Sequence, residues 1–264
     1  MSVQVVAHRG SSEDVPEHTL AAYRKAIDDG ADALECDVRL TRDGHLVCVH
    51  DRRVDRTSTG AGVVSTLELA ELAQLDWASW KNADVWEDFE EPEAPDQDRS
   101  SILTLERLLE VVSDAGRRVE MAIETKHPTR YAGLVERRLV ELLDRFGWAH
   151  PRLGEQSPVR MMSFSQLSLR RMRQLAPSVR TVLLMERVPL RFRDGTLPPF
   201  TRIAGPSIEI IRAHPRYVAR VQRHGGQVHV WTVDRQADVD LCIELGVDAI
   251  ITNRPRRVLD ALGR

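Results

Sequence analysis

The sequence is poor in the features that mark secreted and membrane proteins. Only three of its 264 residues are cysteines (Cys36, Cys48 and Cys242), and their spacing fits neither a metal-binding nor a redox motif. No apolar run approaches the ~20 residues that a membrane span requires, and residues 1–10 lack the charged segment of a secretory signal. We therefore expect buried, reduced cysteines, no transmembrane segment and a cytoplasmic protein.

An excess of charge of one sign is also missing. The formal net charge is −3, so nothing attracts the chain as a whole to nucleic acid or to acidic membranes. Apolar residues make up 42% of the chain and charged residues 29%, which is typical of a protein with a sizeable core. We therefore expect no nucleic-acid partner.

Residues 34–51 combine acidic side chains with a hairpin signal. Glu35 and Asp37 are two apart in an apolar run, so both carboxylates leave a strand on the same face. Asp43-Gly44 between apolar runs indicates a tight turn, and a two-residue loop there sets Asp37 opposite His50. The pattern thus predicts an imidazole beside two carboxylates; the alternative is a surface hairpin with ordinary charges.

Strands and helices alternate along the rest of the chain. Setting aside the return strand of the hairpin (46–50), eight apolar runs are predicted strands: 3–7, 33–38, 119–123, 159–162, 179–184, 207–211, 227–232 and 247–251. Nearly every one is followed by a helical pattern, and eight such units favour a closed (β/α)₈ barrel, the TIM barrel. We predict a single domain over residues 1–264, an α/β barrel with an extra β-hairpin strand and a short insertion after the second strand, at about 52–101.

The insertion breaks the regular pattern. It contains Trp77, Trp80 and Trp86, and residues 87–101 are acidic with two prolines. A solvated loop explains the acidic part. For the part that contains the tryptophans we predict instead a lid over a pocket, with the tryptophan side chains packed at the base of the lid.

Polar side chains gather at the predicted C-terminal ends of the strands, where the chemistry of such barrels takes place. Three of them, Glu35, Asp37 and Glu124, offer the hard oxygen ligands that Mg²⁺, Ca²⁺ and Mn²⁺ prefer. Arg9 and Lys126 lie beside them and suit a phosphate. The alternative is a carboxylate cluster that Arg9 and Lys126 neutralise without a metal.

A series of short motifs in this order resembles the glycerophosphodiester phosphodiesterase family. They are His8-Arg9-Gly10, Pro16-Glu17-His18-Thr19, Glu35-Cys36-Asp37-Val38, Thr41-Arg42-Asp43-Gly44, Val49-His50-Asp51, Glu124-Thr125-Lys126, Ser163-Phe164, Val230-Trp231-Thr232-Val233-Asp234 and Thr252-Asn253-Arg254-Pro255. The resemblance spans nearly the whole chain. It implies a metal-dependent TIM-barrel hydrolase that cleaves glycerophosphodiesters, as small-molecule substrates, to sn-glycerol 3-phosphate and an alcohol.

The resemblance also implies a role for each site residue. The catalytic acid–base pair would be His8 and His50. The metal ligands would be Glu35, Asp37 and Glu124, holding one divalent cation, Mg²⁺ or Ca²⁺ with Mn²⁺ as a further option. The residues on the substrate side would be Arg9 and Lys126 at the phosphate, together with Glu17 and Trp231.

Three positions depart from the family pattern. His18 stands where the family usually has Asn, Asp234 also replaces a usual Asn, and Asn253 stands where Asp is frequent. The insertion looks reduced and acidic, which leaves the selectivity for glycerol open. A lysophospholipase D-like activity on lysolipids is an alternative, for which the tryptophans of the insertion could supply an apolar groove, and a non-catalytic phosphate-binding barrel is another. The sequence leaves open which histidine is the acid, whether water or the glycerol 2-hydroxyl attacks, the headgroup preference and the oligomeric state.

Overall fold

Eight parallel strands close into a barrel in the computed structural model, which describes residues 3–81, 97–127 and 133–264. The strands are β1 Gln4–His8, β2 Ala33–Leu40, β4 Glu120–Thr125, β5 Val159–Ser163, β6 Arg180–Met185, β7 Ile203–Pro206, β8 Gln227–Val230 and β9 Ala249–Thr252, and β3 Leu46–Cys48 lies outside the barrel. Parallel pairing of β1 with both β2 and β9 closes the ring, while β3 pairs with β2 in the antiparallel sense. The predicted barrel with an extra hairpin strand is confirmed.

Helices follow the strands and cover the outside of the barrel. They are α1 Leu20–Asp28, α2 Leu69–Leu72, α3 Gln97–Ser100, α4 Leu105–Ser113, α5 Leu134–Arg145, α6 Gln166–Leu175, α7 Ile208–Ala213, α8 Arg216–Arg223, α9 Gln236–Glu244 and α10 Pro255–Ala261. Three helices begin at a hydroxyl that accepts a backbone N–H: Thr19 for α1, Thr104 for α4 and Ser165 for α6.

Two apolar layers hold the barrel together. The interior is filled by apolar side chains from alternate strand positions: Val6, Ala33, Ala122, Met162, Val182, Leu184, Ile203, Ala249 and Ile251. The opposite strand faces pack against the helices in a larger cluster. Because both faces of a parallel sheet are buried, these strands have nearly continuous apolar sequences.

A polar network lies near the N-terminal ends of the strands. The buried guanidinium of Arg160 and that of Arg180 both donate to Glu120 at 3.0 Å. Burial, together with these two positive charges, holds the pKa of the nearby His229 well below 6.5. This end of the barrel is therefore charged and contains a histidine that stays neutral.

The predicted register of the hairpin is wrong by one residue. Val38 pairs with Cys48 and Leu40 with Leu46, so the residue beside Asp37 is Val49 rather than His50. The reason is a three-residue loop: the Thr41 N–H donates to the His45 carbonyl at 3.0 Å, and Gly44 between them has a φ of 85°. A three-residue hairpin loop requires such a left-handed residue, which glycine provides without steric cost.

The predicted strand at 207–211 is also wrong. Apart from its first residue, this segment belongs to helix α7, and the sixth barrel strand lies earlier, at β7. Ile208, Ile210 and Ile211 are buried, and a short apolar run of β-branched residues fits a buried strand or a buried helix equally well. Gly205 fits in β7 because a Cβ there would lie 2.8 Å from the side chain of Leu184, its partner on the neighbouring strand β6.

The described part of the insertion has a small core of its own. Val54, Val64, Leu72 and Trp77 pack on the hairpin residue Val49 and its neighbour Val47. Trp77 is 5% exposed and donates its indole N–H to the Leu72 carbonyl at 3.0 Å. Trp77 therefore stabilises the insertion, and Trp86 lies outside the described residues.

Candidate active site

Most of the predicted site residues meet in one pocket at the C-terminal ends of the barrel strands. The pocket is lined by His8, Arg9, Glu35, His50, Glu124, Lys126, Met162, Phe164, Leu184, Glu186, Trp231, Thr232 and Ile251. Seven of the nine predicted residues are in this set. Asp37 lies buried against Arg9 and Lys126, and Glu17 is bonded to Arg9 from outside the lining.

The three predicted metal ligands form a tight buried cluster. Glu35, Asp37 and Glu124 each offer an oxygen, and these oxygens all lie within 4.8 Å of one another. Asp37 pairs with Glu124 across β2 and β4, and Glu35 is on the same face of β2, which brings the three together. The chemistry and the spacing of this donor set fit a single hard divalent cation.

The ionisation of these acids reflects burial and mutual repulsion. Burial and the charge of Asp37 raise the pKa of Glu124 to about 8, and the same two causes raise the pKa of Glu35 well above 4.5. Burial also opposes the ionisation of Asp37, but the charge of Lys126 and a hydrogen bond from His18 outweigh it and hold its pKa well below 3.8. One acid of the cluster is thus charged and two resist ionisation.

Two cations lie against this cluster. The Lys126 ammonium is 2.9 Å from a Glu124 oxygen and 3.0 Å from an Asp37 oxygen. Arg9 pairs with Asp37 at 3.1 Å and donates to Glu17 at 2.9 Å. Because Arg9 is shared with Glu17, Arg9 and Lys126 could not neutralise the three acids if all were ionised, and a further cation would balance the remaining charge.

The two predicted catalytic histidines have different partners. His8 Nδ1 lies 2.7 Å from the side-chain oxygen of Asn253, and its Nε2 is 3.9 Å from Glu35. His50 Nδ1 lies 2.7 Å from the Asp51 carboxylate. The His8 ring is therefore bonded to a neutral amide, and the His50 ring is bonded to an acid.

Their electrostatic surroundings differ as well. Burial and the charge of Arg9 lower the pKa of His8 to about 3. Burial also lowers the pKa of His50, while the charge of Asp37 and the hydrogen bond to Asp51 act against that shift. Both imidazoles are thus favoured in the neutral form, His8 more strongly.

His50 reaches the pocket although the register was predicted incorrectly. It follows β3 rather than pairing within it, so the bend after the strand determines its position. The Arg39 guanidinium donates to the His50 carbonyl at 2.7 and 3.0 Å and fixes that bend.

Several residues of the site were missed by sequence reasoning. Arg56 donates to both Glu17 and Asp51 and so connects the first loop to His50. Glu186 lines the pocket directly after β6, and the rule that polar groups at strand ends matter would have found it. Nothing in the sequence pairs Arg56 with those acids, because it lies in an irregular segment.

The first loop is held in an unusual backbone conformation. Arg9 and His18 have φ of 56° and 62°, in the left-handed region that non-glycine residues rarely adopt. His18 bonds Asp37 at 3.0 Å and the Tyr23 hydroxyl at 2.8 Å. Strain of this kind, about 1–3 kcal/mol per residue, is concentrated at functional sites.

Comparison with known proteins agrees with this geometry. The model of the glycerophosphoryl diester phosphodiesterase family matches residues 8–257. The chain belongs to this family. The predicted family is thereby confirmed, and the chain is an enzyme, a phosphoric diester hydrolase. The alternative of a non-catalytic phosphate-binding barrel is correspondingly disfavoured.

Individual members of the glycerophosphoryl diester phosphodiesterase family resemble the chain over nearly its full length. A probable glycerophosphodiester phosphodiesterase 1 from Mycobacterium tuberculosis is 47% identical, with 96% of this chain and 90% of the relative covered. A glycerophosphodiester phosphodiesterase from Bacillus subtilis is 35% identical, covering 96% of this chain and 84% of its own length. Both cover the barrel and the insertion together.

Solved structures of the family have the same fold. An Oleispira antarctica phosphodiesterase in complex with the product sn-glycerol-3-phosphate superposes with a TM-score of 0.78 at 25% identity, covering 99% of this chain and 97% of the other. A putative glycerophosphodiester phosphodiesterase from Galdieria sulphuraria gives 0.81 at 22% identity, covering 100% and 99%, which supports the fold alone. None of the helices in the described ranges is long and apolar enough to span a bilayer. The cytoplasmic location and the single domain stay predictions.

Proposed function

We propose that this enzyme hydrolyses glycerophosphodiesters to sn-glycerol 3-phosphate and an alcohol, using one divalent cation and a pair of histidines. The observation that carries the proposal is the convergence of two imidazoles, three acids and two cations on one pocket at the strand ends. The Oleispira antarctica neighbour, which holds sn-glycerol-3-phosphate, supports the substrate class.

Glu35, Asp37 and Glu124 would hold the cation, Mg²⁺ or Ca²⁺ with Mn²⁺ as a further option. When bound, the cation would neutralise the negative charge that develops on the phosphoryl oxygens. Lys126 and Arg9 bond to these acids and border the pocket, so their positive charges act on the same phosphate. Together they offset the repulsion between an anionic diester and an attacking oxygen.

The partners of the two histidines favour a division of labour. His8, bonded to a neutral amide, stays unprotonated and takes the proton of the attacking oxygen. His50 has the Asp51 carboxylate beside it, which opposes the effect of burial and makes its imidazolium more accessible than that of His8, so it gives its proton to the leaving alkoxide. General acid–base help of this kind is worth about 10²–10⁴-fold each.

The remaining predicted residues position the substrate or its ligands. Trp231 forms one wall of the pocket, packed edge-on against Phe164 with ring centroids 5.5 Å apart. Glu17 orients Arg9 and is itself fixed by Arg56, so it acts on the phosphate through Arg9. We assign Trp231 to contact with the glycerol or the headgroup of the substrate.

The test measures release of glycerol 3-phosphate from glycerophosphocholine and glycerophosphoethanolamine, with and without EDTA. We expect turnover that EDTA abolishes and that His8→Ala and His50→Ala each lower by about 10²-fold or more. His150→Ala is the matched control, because that histidine is exposed and bonds Asp144 far from the pocket. Full activity of the His8 or His50 variant would contradict the proposed mechanism.

One observation favours lysolipids as a second substrate class. A larger cavity of about 540 Å³ shares Glu186 with the pocket, and Val188, Ile210 and Ala213 line it. An acyl chain needs such an apolar surface. Val188→Asp would lower turnover of lysophosphatidylcholine and leave that of glycerophosphocholine unchanged; equal effects on both substrates would exclude this use of the cavity.

A further inference from the structure

We propose that Asp234 is a positioning residue that acts through Asn253: the pair fixes the ring tautomer of His8, so that the Nε2 lone pair faces the pocket. The inference rests on the proposed function, in which His8 removes a proton. Neither Asp234 nor Asn253 lines the pocket, and both belong to the loops that follow β8 and β9.

The Asp234 carboxylate decides how the amide of Asn253 is oriented. Its Oδ2 accepts from Asn253 Nδ2 at 2.7 Å, and its Oδ1 accepts from the Asn253 backbone N–H at 2.8 Å and from the Thr252 hydroxyl at 3.0 Å. A carboxylate only accepts hydrogen bonds, so the NH₂ end of the amide has to face it. The oxygen end of Asn253 is thereby directed towards His8.

That oxygen in turn decides which ring nitrogen of His8 carries the hydrogen. Asn253 Oδ1 lies 2.7 Å from His8 Nδ1 and, being an acceptor only, requires an N–H there. In a neutral imidazole Nε2 then has the lone pair. Nε2 lies 3.9 Å from a Glu35 oxygen, so the lone pair is presented to the acids of the site.

Ser12 also lies within hydrogen-bonding distance of His8 and Asn253, and it leaves the orientation of the Asn253 amide unchanged. Its hydroxyl lies 2.7 Å from Asn253 Oδ1 and 2.8 Å from the His8 carbonyl, so its single hydrogen can go to either oxygen. The amide oxygen has two lone pairs and can accept from both His8 and Ser12. Both ends of the Asn253 amide therefore have partners in this orientation, whereas a flipped amide would place its oxygen against the Asp234 carboxylate and its NH₂ against the Nδ1–H of His8.

The two residues can be exchanged without losing the arrangement. In the double variant Asp234→Asn/Asn253→Asp, the carboxylate at 253 accepts directly from His8 Nδ1, and the amide at 234 donates to it. The single variant Asp234→Asn instead frees the amide of Asn253 to turn its NH₂ end towards His8, which moves the ring hydrogen to Nε2. A base with its hydrogen on the attacking side cannot accept a proton.

The test reads the tautomer directly by ¹⁵N NMR of histidine-labelled full-length protein at a pH where the ring is neutral, with His8→Ala identifying the resonances. We expect a protonated, pyrrole-type Nδ1 and a pyridine-type Nε2 for His8 in the wild type and in the double variant, and a mixed or reversed pattern in Asp234→Asn. Asp240→Asn, an exposed acid on α9, is the matched control and keeps the wild-type pattern.

Turnover of glycerophosphocholine is the second readout. We expect Asp234→Asn to lower kcat by about 10²-fold while KM changes by less than about twofold. The double variant should recover most of kcat at a pH high enough to keep His8 neutral, because the carboxylate at position 253 favours the imidazolium. A purely structural role would lower the unfolding midpoint without reversing the ring nitrogens. If the wild-type ring carries its hydrogen on Nε2, or if Asp234→Asn changes neither tautomer nor kcat, the inference is wrong.

The failure of the proposed function would look different. A wild-type protein with the expected tautomer but without turnover of any glycerophosphodiester would contradict the function and support the positioning. If Asp234→Asn does not fold, the wild-type spectrum and the double variant still decide the question.

Discussion

Binding of a divalent cation should release protons from the acidic cluster, and the number can be worked out from Glu124. Without a cation, burial and the charge of Asp37 hold the pKa of Glu124 at about 8. A carboxylate must be ionised to hold a metal, so binding lowers that pKa and the proton leaves. The sign is therefore release, and the affinity for the metal rises with pH up to about 8.

The size of the effect follows from the fraction of Glu124 that is protonated. At pH 7 a group with a pKa of about 8 is protonated in about ten molecules of eleven, so Glu124 alone releases about 0.9 proton per cation. Glu35, whose pKa is also raised, adds to this number and sets an upper limit of about two. At pH 9 the contribution of Glu124 falls to about 0.1.

Isothermal titration calorimetry with Ca²⁺ or Mg²⁺ measures this release in pairs of buffers that differ in ionisation enthalpy. The isosteric variant Glu124→Gln has no proton to lose and should release about 0.9 fewer at pH 7. Glu141→Gln is the control, because Glu141 lies exposed on α5 and pairs with Arg138. Saturable binding with less than about 0.2 proton released, or release unchanged in Glu124→Gln, would refute the reasoning.

Three further changes test other parts of the structure. Lys126→Met removes the cation that bridges Asp37 and Glu124, and we expect kcat/KM for glycerophosphocholine to fall by about 10²-fold or more; a fall below tenfold would exclude a direct part for the ammonium. Trp77→Ala should destabilise the protein by roughly 3–5 kcal/mol in urea unfolding, whereas a loss under about 1 kcal/mol would mean that the insertion does not fold with the barrel. The pKa of His229 in the folded protein is well below 6.5, so the unfolded chain binds a proton there first as the pH falls. The free energy of unfolding should therefore decrease below about pH 6.5, by up to 1.36 kcal/mol per pH unit from this one proton. In His229→Asn this contribution to the slope should be lost, and an unchanged slope would contradict the neutral state of His229.

The barrel could be predicted because its pattern is repeated along the chain. Each apolar run followed by a helical pattern is one βα unit, and errors in a single unit do not change the count. The misplaced sixth barrel strand shows this: Ile208 and its neighbours were predicted to be a strand although they form α7, yet eight units remained. Periodicity alone cannot distinguish a short buried helix from a buried strand.

The site was predictable to the extent that it lies at strand ends. Glu35, Asp37 and Glu124 alternate along β2 and β4, so their common face follows from the pleat of the strands. His50 was placed by a turn that has one more residue than expected, and it reached the pocket through the bend that Arg39 fixes. A hairpin loop length depends on hydrogen bonds such as that of Thr41 to His45, which the sequence pattern does not specify.

The contacts that orient the histidines lie beyond what one sequence can reveal. His8 and Asn253 are 245 residues apart and meet only because the barrel closes between β1 and β9. Asp51, by contrast, is adjacent to His50 in the chain, and that neighbour could have been proposed as its partner. The sequence pointed to these contacts only through the departures from the family pattern at positions 234 and 253, and the hydrogen bonds in the structure were needed to interpret them.

We propose that the pocket cleaves the bond between phosphorus and the headgroup oxygen of a glycerophosphodiester. Phosphorus-31 NMR of glycerophosphocholine with the metal-loaded protein tests this proposal most directly. We expect the diester resonance to be replaced by the monoester resonance of sn-glycerol 3-phosphate, at a rate that His8→Ala and His50→Ala nearly abolish. A diester resonance that stays unchanged at high protein concentration, or phosphocholine as the phosphorylated product, would contradict it.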